Sequence, residues 1–238
     1  MAKEKSAIER FAESKFMRKL QEGSQKLASN EIFSTISGGM GATMGLIMIG
    51  AVIQIVCAVG AMFGWDTSSA SYQAFYMPYK LTMGLMGFFM CFSMAYNYAK
   101  RKKMNQMQSV VTALVCYILV VSPPVSASVV AADGTIGSAF DALNLSSLGT
   151  GGMFVAIIVG LCSVAISKFV IDHNWTIKLP DVVPEGIAHS FNAIIPMSVN
   201  IIVWYGISLI ISAVSGGALT LSSLITLILS VPVNFLTS

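Results

Sequence analysis

The run FNAIIPMSVNIIVWYGISLIISAV, residues 191–214, decides what kind of protein this is. It contains no Asp, Glu, Lys or Arg, and about 20 apolar residues in a helix suffice to cross a hydrocarbon core of roughly 30 Å. The lack of charge reaches further on both sides, from Gly186 to Ser238. Over all 238 residues, 55% are apolar types and 11% are charged, where a soluble domain carries roughly 25%. Twelve of the 25 charges fall within the first 31 residues. Such a chain cannot wet its own surface, which excludes an ordinary cytosolic enzyme. Its net charge of +3 is too small and too unevenly placed for a nucleic-acid binder. The expected class is an all-α integral membrane protein with the lipid bilayer as its partner.

Working outward, four more stretches reach spanning length: Ser34–Phe63, Lys80–Ala99, Met107–Ala127 and Gly151–Ile171, with Phe191–Val214 as the fifth. Between them lie interfacial and loop compositions. Residues 65–79 hold Trp65, Asp66, Pro78 and three tyrosines, and Pro123-Pro124 opens a Ser/Gly/Asp-rich connection to Thr150. Thirteen of the fourteen Lys and Arg fall on one side if the N-terminus is cytoplasmic, with Lys80 the exception. The positive-inside rule therefore predicts a multi-pass protein of a cell membrane with a cytoplasmic N-terminus.

Two flanking helices are expected in the interface. In residues 1–31, Ile8, Ala12, Phe16 and Leu20 recur every four positions opposite a charged face, which suits an amphipathic helix under the membrane or, failing that, a solvated extension. In residues 215–238, Ser222, Thr226, Ser230 and Asn234 form one polar stripe interrupted by Pro232. That pattern favours an interfacial helix over a sixth span. The predicted organisation is a cytoplasmic segment 1–31, a five-span membrane part 32–214 and an interfacial helix 215–238.

Catalytic machinery is not expected. Cys57, Cys91, Cys116 and Cys162 sit singly inside apolar stretches and read as packing residues. There is no HExxH, GxSxG or Walker motif, so neither metal nor cofactor is predicted. Gly41 and Gly45 form a GxxxG, and Gly84 and Gly87 a similar small-residue pair. In lipid, small residues at this spacing let helices approach closely, which points to helix packing or an oligomer contact. On the fifth span, Asn192, Pro196, Asn200, Trp204, Ser208 and Ser212 make a slowly winding polar stripe. It suits interhelical hydrogen bonds or a polar substrate path. Glu185 precedes His189 by four residues, a spacing that would put the two on one face of a helix, but no nucleophile or metal partner accompanies them. His189, Asn192, Asn200 and Glu185 are the substrate-path candidates.

The segment Leu179-Pro180-Asp-Val-Val183-Pro184, followed by Ser190-Phe191 and Ile195-Pro196, is specific. It resembles the opening of the fifth membrane helix in the IIC (permease) subunit of bacterial phosphotransferase systems, in the lactose/cellobiose/diacetylchitobiose family. Lys26-Leu-Ala-Ser-Asn30 and the Leu224–Ser238 run with Pro232 are similar to the same family. The resemblance implies a bacterial inner-membrane sugar transporter of ten spans, a homodimer built chiefly on the first five. It implies a β-disaccharide substrate such as cellobiose, lactose or diacetylchitobiose, held in the second half, and a separate IIB phosphocarrier that phosphorylates it. The family's sugar-contacting histidine and glutamate belong to Gly-Ile-His-Gly and Asn-Glu-Pro motifs, which this sequence lacks. The expectation is therefore an N-terminal dimerising half, truncated or split, that does not transport alone and meets a disaccharide only if a second half is supplied. The alternative is a structural membrane protein that dimerises or complements a separately encoded transport half.

Overall fold

The computed structural model describes residues 25, 29–128, 137–175, 177, 191–217 and 219–228. The predicted amphipathic N-terminal helix, and with it Glu185 and His189, lies outside these residues. Among the described residues six α-helices have their bounds defined: α1 (Glu31–Met62), α2 (Ala70–Leu81), α3 (Met86–Arg101), α4 (Gln106–Val121), α5 (Met153–Asp172) and α6 (Ile194–Val214). A further helical stretch covers 221–228. Among the described residues, Glu31–Met62, Thr150–Asp172 and Ile194–Val214 are long and apolar enough to cross a membrane.

α1 begins at Asn30, whose side chain accepts a hydrogen bond from the Ile32 amide at 3.0 Å, and Glu31 adds negative charge to the first turn. Its 32 residues extend roughly 48 Å at about 1.5 Å per residue. One narrow face is buried, formed by Thr35, Gly39, Thr43, Gly50 and Cys57. The spacings of four and seven place these small residues in a single seam. A Cβ at Gly39 would stand 2.7 Å from Met94 Cε, and one at Gly50 would stand 2.8 Å from Met83 Cγ. Ser93 on α3 donates to the Gly39 carbonyl at 3.0 Å across the same seam. Close backbone approach, with few contacts beyond the seam, is how α1 attaches.

α3 is the centre of the bundle, packed against α1, α4 and α5. Met90, Cys91, Met94, Ala95 and Ala99 on it are almost wholly enclosed, with Ala113, Cys116 and Tyr117 of α4 and Val155, Val159 and Val164 of α5. A Cβ at Gly160 would meet Cys91 O at 3.2 Å, so α5 also crosses α3 at a glycine. α6 packs on α4 and α5, and Leu221 of the last stretch joins the core while Leu227 and Ile228 stay exposed.

Three sequence expectations need correction. The second span, expected from Lys80, is broken: Lys80 belongs to α2, the chain turns at Thr82 (φ −101, ψ −87), and a 3-10 turn at Met83–Leu85 leads into α3. At the break Met83 packs against Gly50 of α1, and the Thr82 hydroxyl bonds back to the Pro78 carbonyl. The third span stops at Val121 rather than Ala127, because Pro123-Pro124 cannot continue a helix and Ser122 before it leaves helical geometry (φ −143, ψ 65). Beyond it, Val125–Ala127 pairs antiparallel with Phe140–Ala142. The fold is thus mostly helical with a small two-stranded ribbon, not strictly all-α. Residues 65–79, expected to be interfacial, form a loop and most of α2. Trp65 meets Tyr72 and Phe75 edge-on, and Tyr76 lies against Tyr79.

Candidate functional site

Polar groups concentrate at one end of the bundle, where α1, α4 and α6 begin and α3 and α5 finish. Lys102, just past α3, lies 2.7 Å from Glu31 at the start of α1, and Arg101 donates to Ser34 Oγ at 2.6 Å. The Glu31 carboxylate, by accepting its hydrogen bond, raises the affinity of Lys102 for its proton. These contacts tie the first turn of α1 to the last turn of α3. The turn into α4 needs a left-handed residue, Lys103 (φ 54), and closes with Asn105 accepting from the Gln108 amide. Lys168 pairs with Asp172 one helical turn later.

These elements enclose a cavity of about 350 Å³ lined by Lys102, Lys103, Ser109, Thr112, Lys168 and Asn192, among others. Asn192, one of the predicted path residues, thus lines a cavity, and its buried Oδ1 has no hydrogen-bond partner among the described residues.

Below the cavity a polar seam joins α5 to α6. Asn200 is fully buried and donates to Ser167 Oγ and to the Pro196 carbonyl, both at 2.9 Å. Its Oδ1 is also without a partner. One turn on, Trp204 Nε1 donates to Ser163 Oγ at 3.0 Å. The stripe then winds away, and Ser212 is exposed. Asn200 therefore joins α6 to α5, and its partner Ser167 also lines the cavity.

The predicted glycines separate. Gly87 is tightly packed, since a Cβ there would lie 2.2 Å from Tyr117 Oη and 2.7 Å from Leu148 O. Gly84 contributes through its carbonyl, which would stand 2.7 Å from a Cβ at Gly149. Gly41 and Gly45 have no described atom within 4 Å of a Cβ position. They lie on the open face of α1 with Met40, Met44 and Met48, which are also exposed. Among the described residues no group of three or more His, Cys, Asp or Glu could hold a metal ion.

Residues 25–236 match the family model for the phosphotransferase system, EIIC. The chain belongs to the phosphotransferase system EIIC family. Among curated EIIC relatives, it is 26% identical over 200 residues to the lactose-specific EIICB component of Streptococcus mutans, covering 81% of this chain and 33% of the relative. The corresponding component of Staphylococcus epidermidis is 28% identical over 199 residues, covering 80% and 32%. The chain thus spans about a third of the length of these relatives. The crystal structure of the transporter ChbC, the IIC component of the N,N'-diacetylchitobiose-specific phosphotransferase system, shares the EIIC fold with a TM-score of 0.74 at 23% identity. That match covers 95% of this chain and 52% of ChbC.

Sequence reasoning missed two features of this EIIC chain. The Thr35–Gly39–Thr43–Gly50–Cys57 seam was legible as small residues at helical spacing, but the GxxxG at Gly41 and Gly45 was the more conspicuous pattern. The convergence of Lys102, Lys103 and Lys168 had no sequence signal, because Lys103 and Lys168 are 65 positions apart and come together through the packing of α5 against α3 and α4.

Proposed function

We propose that this chain is the dimerising half of a sugar permease that takes a β-disaccharide such as cellobiose, lactose or diacetylchitobiose. In this reading it works with a IIB phosphocarrier that transfers the phosphoryl group, while the chain itself has no enzymatic activity. The carrying observation is the EIIC family match over residues 25–236, joined to the absence of the Gly-Ile-His-Gly and Asn-Glu-Pro motifs from the sequence. The lactose and diacetylchitobiose names of the relatives support the substrate class, and their EIICB names support a IIB partner, tethered or separate.

Five crossings of the bacterial inner membrane fit the helix lengths. α1, α5 and α6 are long enough alone. The 16 residues of α3 give roughly 24 Å, and the preceding 3-10 turn adds about 6 Å. α4 is equally short at 16 residues, but it is enclosed by α3, α5 and α6, where non-helical backbone beyond its end is tolerated. α2, with its tyrosines, suits the outer interface. The basic cluster Lys100–Lys103 at the end where α1 begins supports a cytoplasmic N-terminus. Residues 1–31, 32–214 and 215–238 then act as cytoplasmic segment, membrane half and interfacial helix.

The open glycine face of α1, Gly41 and Gly45 with three exposed methionines, supports a homodimer contact in the membrane. The cavity-lining Asn192 and the buried Asn200 would border the path of a polar substrate, together with His189 and Glu185 on the sequence just before them. The same open face suits a second reading, a scaffold that dimerises or complements a separately encoded transport half. Proteoliposomes containing the 238-residue chain, energised and supplied with labelled cellobiose or lactose, test the first. Uptake is expected to equal that of empty liposomes, while Gly41→Cys chains crosslink to dimers. Accumulation of sugar would overturn the claim that this half does not transport alone.

A further inference from the structure

The cavity at the basic end has chemistry that helix packing alone does not require. Lys102, Lys103 and Lys168 all line it. Lys102 and Lys168 are matched by Glu31 and Asp172, but Lys103 forms no ion pair with any described residue. Its backbone is held in place by Lys103 N donating to Lys100 O and Met104 N donating to Ala99 O. Lys103 therefore presents an ammonium with no described acidic partner, on a backbone fixed beside the cavity. Asn192 lines the same cavity, and its buried carboxamide oxygen has no donor among the described residues, a group that costs free energy until a donor arrives. Ser109 and Thr112 between them already donate to Asn105 O and Gln108 O, so their oxygens remain free to accept.

The ligand complementary to these walls carries a negative charge for Lys103 and hydroxyl donors for Asn192, Ser109 and Thr112. The first turn of α4, capped by Asn105, opens on the same space and adds the positive end of a helix dipole. A cavity of about 350 Å³ is large enough for a small polar headgroup. It lies where five helix ends meet, the depth at which basic pockets between membrane helices meet lipid headgroups.

We propose that this cavity binds a hydroxyl-bearing phosphate ester, with Lys103 holding the phosphate and Asn192 accepting from a ligand hydroxyl. The phosphoglycerol headgroup of an anionic phospholipid and a soluble glycerol phosphate or sugar phosphate share this chemistry. The site belongs to the EIIC half present in this chain and does not depend on whether that half transports sugar.

The test uses the 238-residue chain in phosphatidylcholine nanodiscs, with binding followed by native mass spectrometry. One arm titrates short-chain phosphatidylglycerol and the other glycerol 3-phosphate. One saturable site is expected, weakened about fivefold by Lys103→Gln, the effect of about one lysine near an anionic headgroup. Asn192→Ala is expected to weaken it similarly, and Lys103→Arg to restore binding. Lys80→Gln, at the far end of the bundle, leaves it unchanged. Saturation by the lipid alone identifies a headgroup site, and saturation by glycerol 3-phosphate with the same variant sensitivity identifies a soluble ligand; both support the proposal. No saturable binding in either arm, or binding unmoved by Lys103→Gln and Asn192→Ala, overturns it.

Discussion

A methyl group added at Gly87 would stand 2.2 Å from the Tyr117 hydroxyl and 2.8 Å from the Gly149 carbonyl, with backbone on two sides and little room to yield. Gly87→Ala should therefore destabilise the bundle by about 1–3 kcal/mol, the usual cost of overpacking, measured as thermal unfolding in detergent. Gly41→Ala has open space around it and is expected to leave that transition unchanged. Any loss it causes should show in the dimer fraction. Two glycine pairs that looked alike in sequence are thus separated by their surroundings. Lys102 supplies a residue-level pH dependence. The hydrogen bond it donates to Glu31 raises its proton affinity above the free lysine value near 10.5. Its contribution is complete below that value and is lost as pH rises through the raised one. The tie between α1 and α3 should thus persist from pH 6 to 9 and weaken only in stronger alkali, as read from a spin-label distance between residues 37 and 100.

At the scale of elements, α5 and α6 are joined by two side-chain hydrogen bonds one helical turn apart, Asn200 to Ser167 and Trp204 to Ser163. A double-mutant cycle of Trp204→Phe with Ser163→Ala should return a coupling of about 0.6 kcal/mol, typical of such bonds inside membrane proteins. The stripe carrying them was legible from its four-residue spacing, because polar side chains in lipid must find partners and so advertise a helix interface. The break between α2 and α3 was not legible. Residues 80–99 are apolar throughout most of their length, and hydropathy reports burial without reporting backbone direction. It took Met83 against Gly50, a contact across 33 positions, to show where the chain turns. The end of α4 was readable from Pro123-Pro124, yet the pairing of Val125–Ala127 with Phe140–Ala142 depends on a loop whose composition carries no strand period. The cavity at the basic end was the least legible feature, since its walls come from three helices and a turn.

For the whole molecule, most of the described basic residues gather at one end, and a cluster of aromatic residues, Trp65 to Tyr79, at the other. That polarity, with the EIIC family match, makes the central claim architectural. We propose that five helices cross the membrane, with the Lys100–Lys103 turn and the α5 terminus sharing the cytoplasmic side. The ribbon and the start of α2 then lie outside. Labelling of single cysteines by a membrane-impermeant maleimide, in intact and then permeabilised cells, tests this most directly. Thr67→Cys and Asp141→Cys should label in intact cells, and Lys100→Cys and His173→Cys only after permeabilisation. Labelling of positions 100 and 141 from the same side would contradict the five-crossing arrangement.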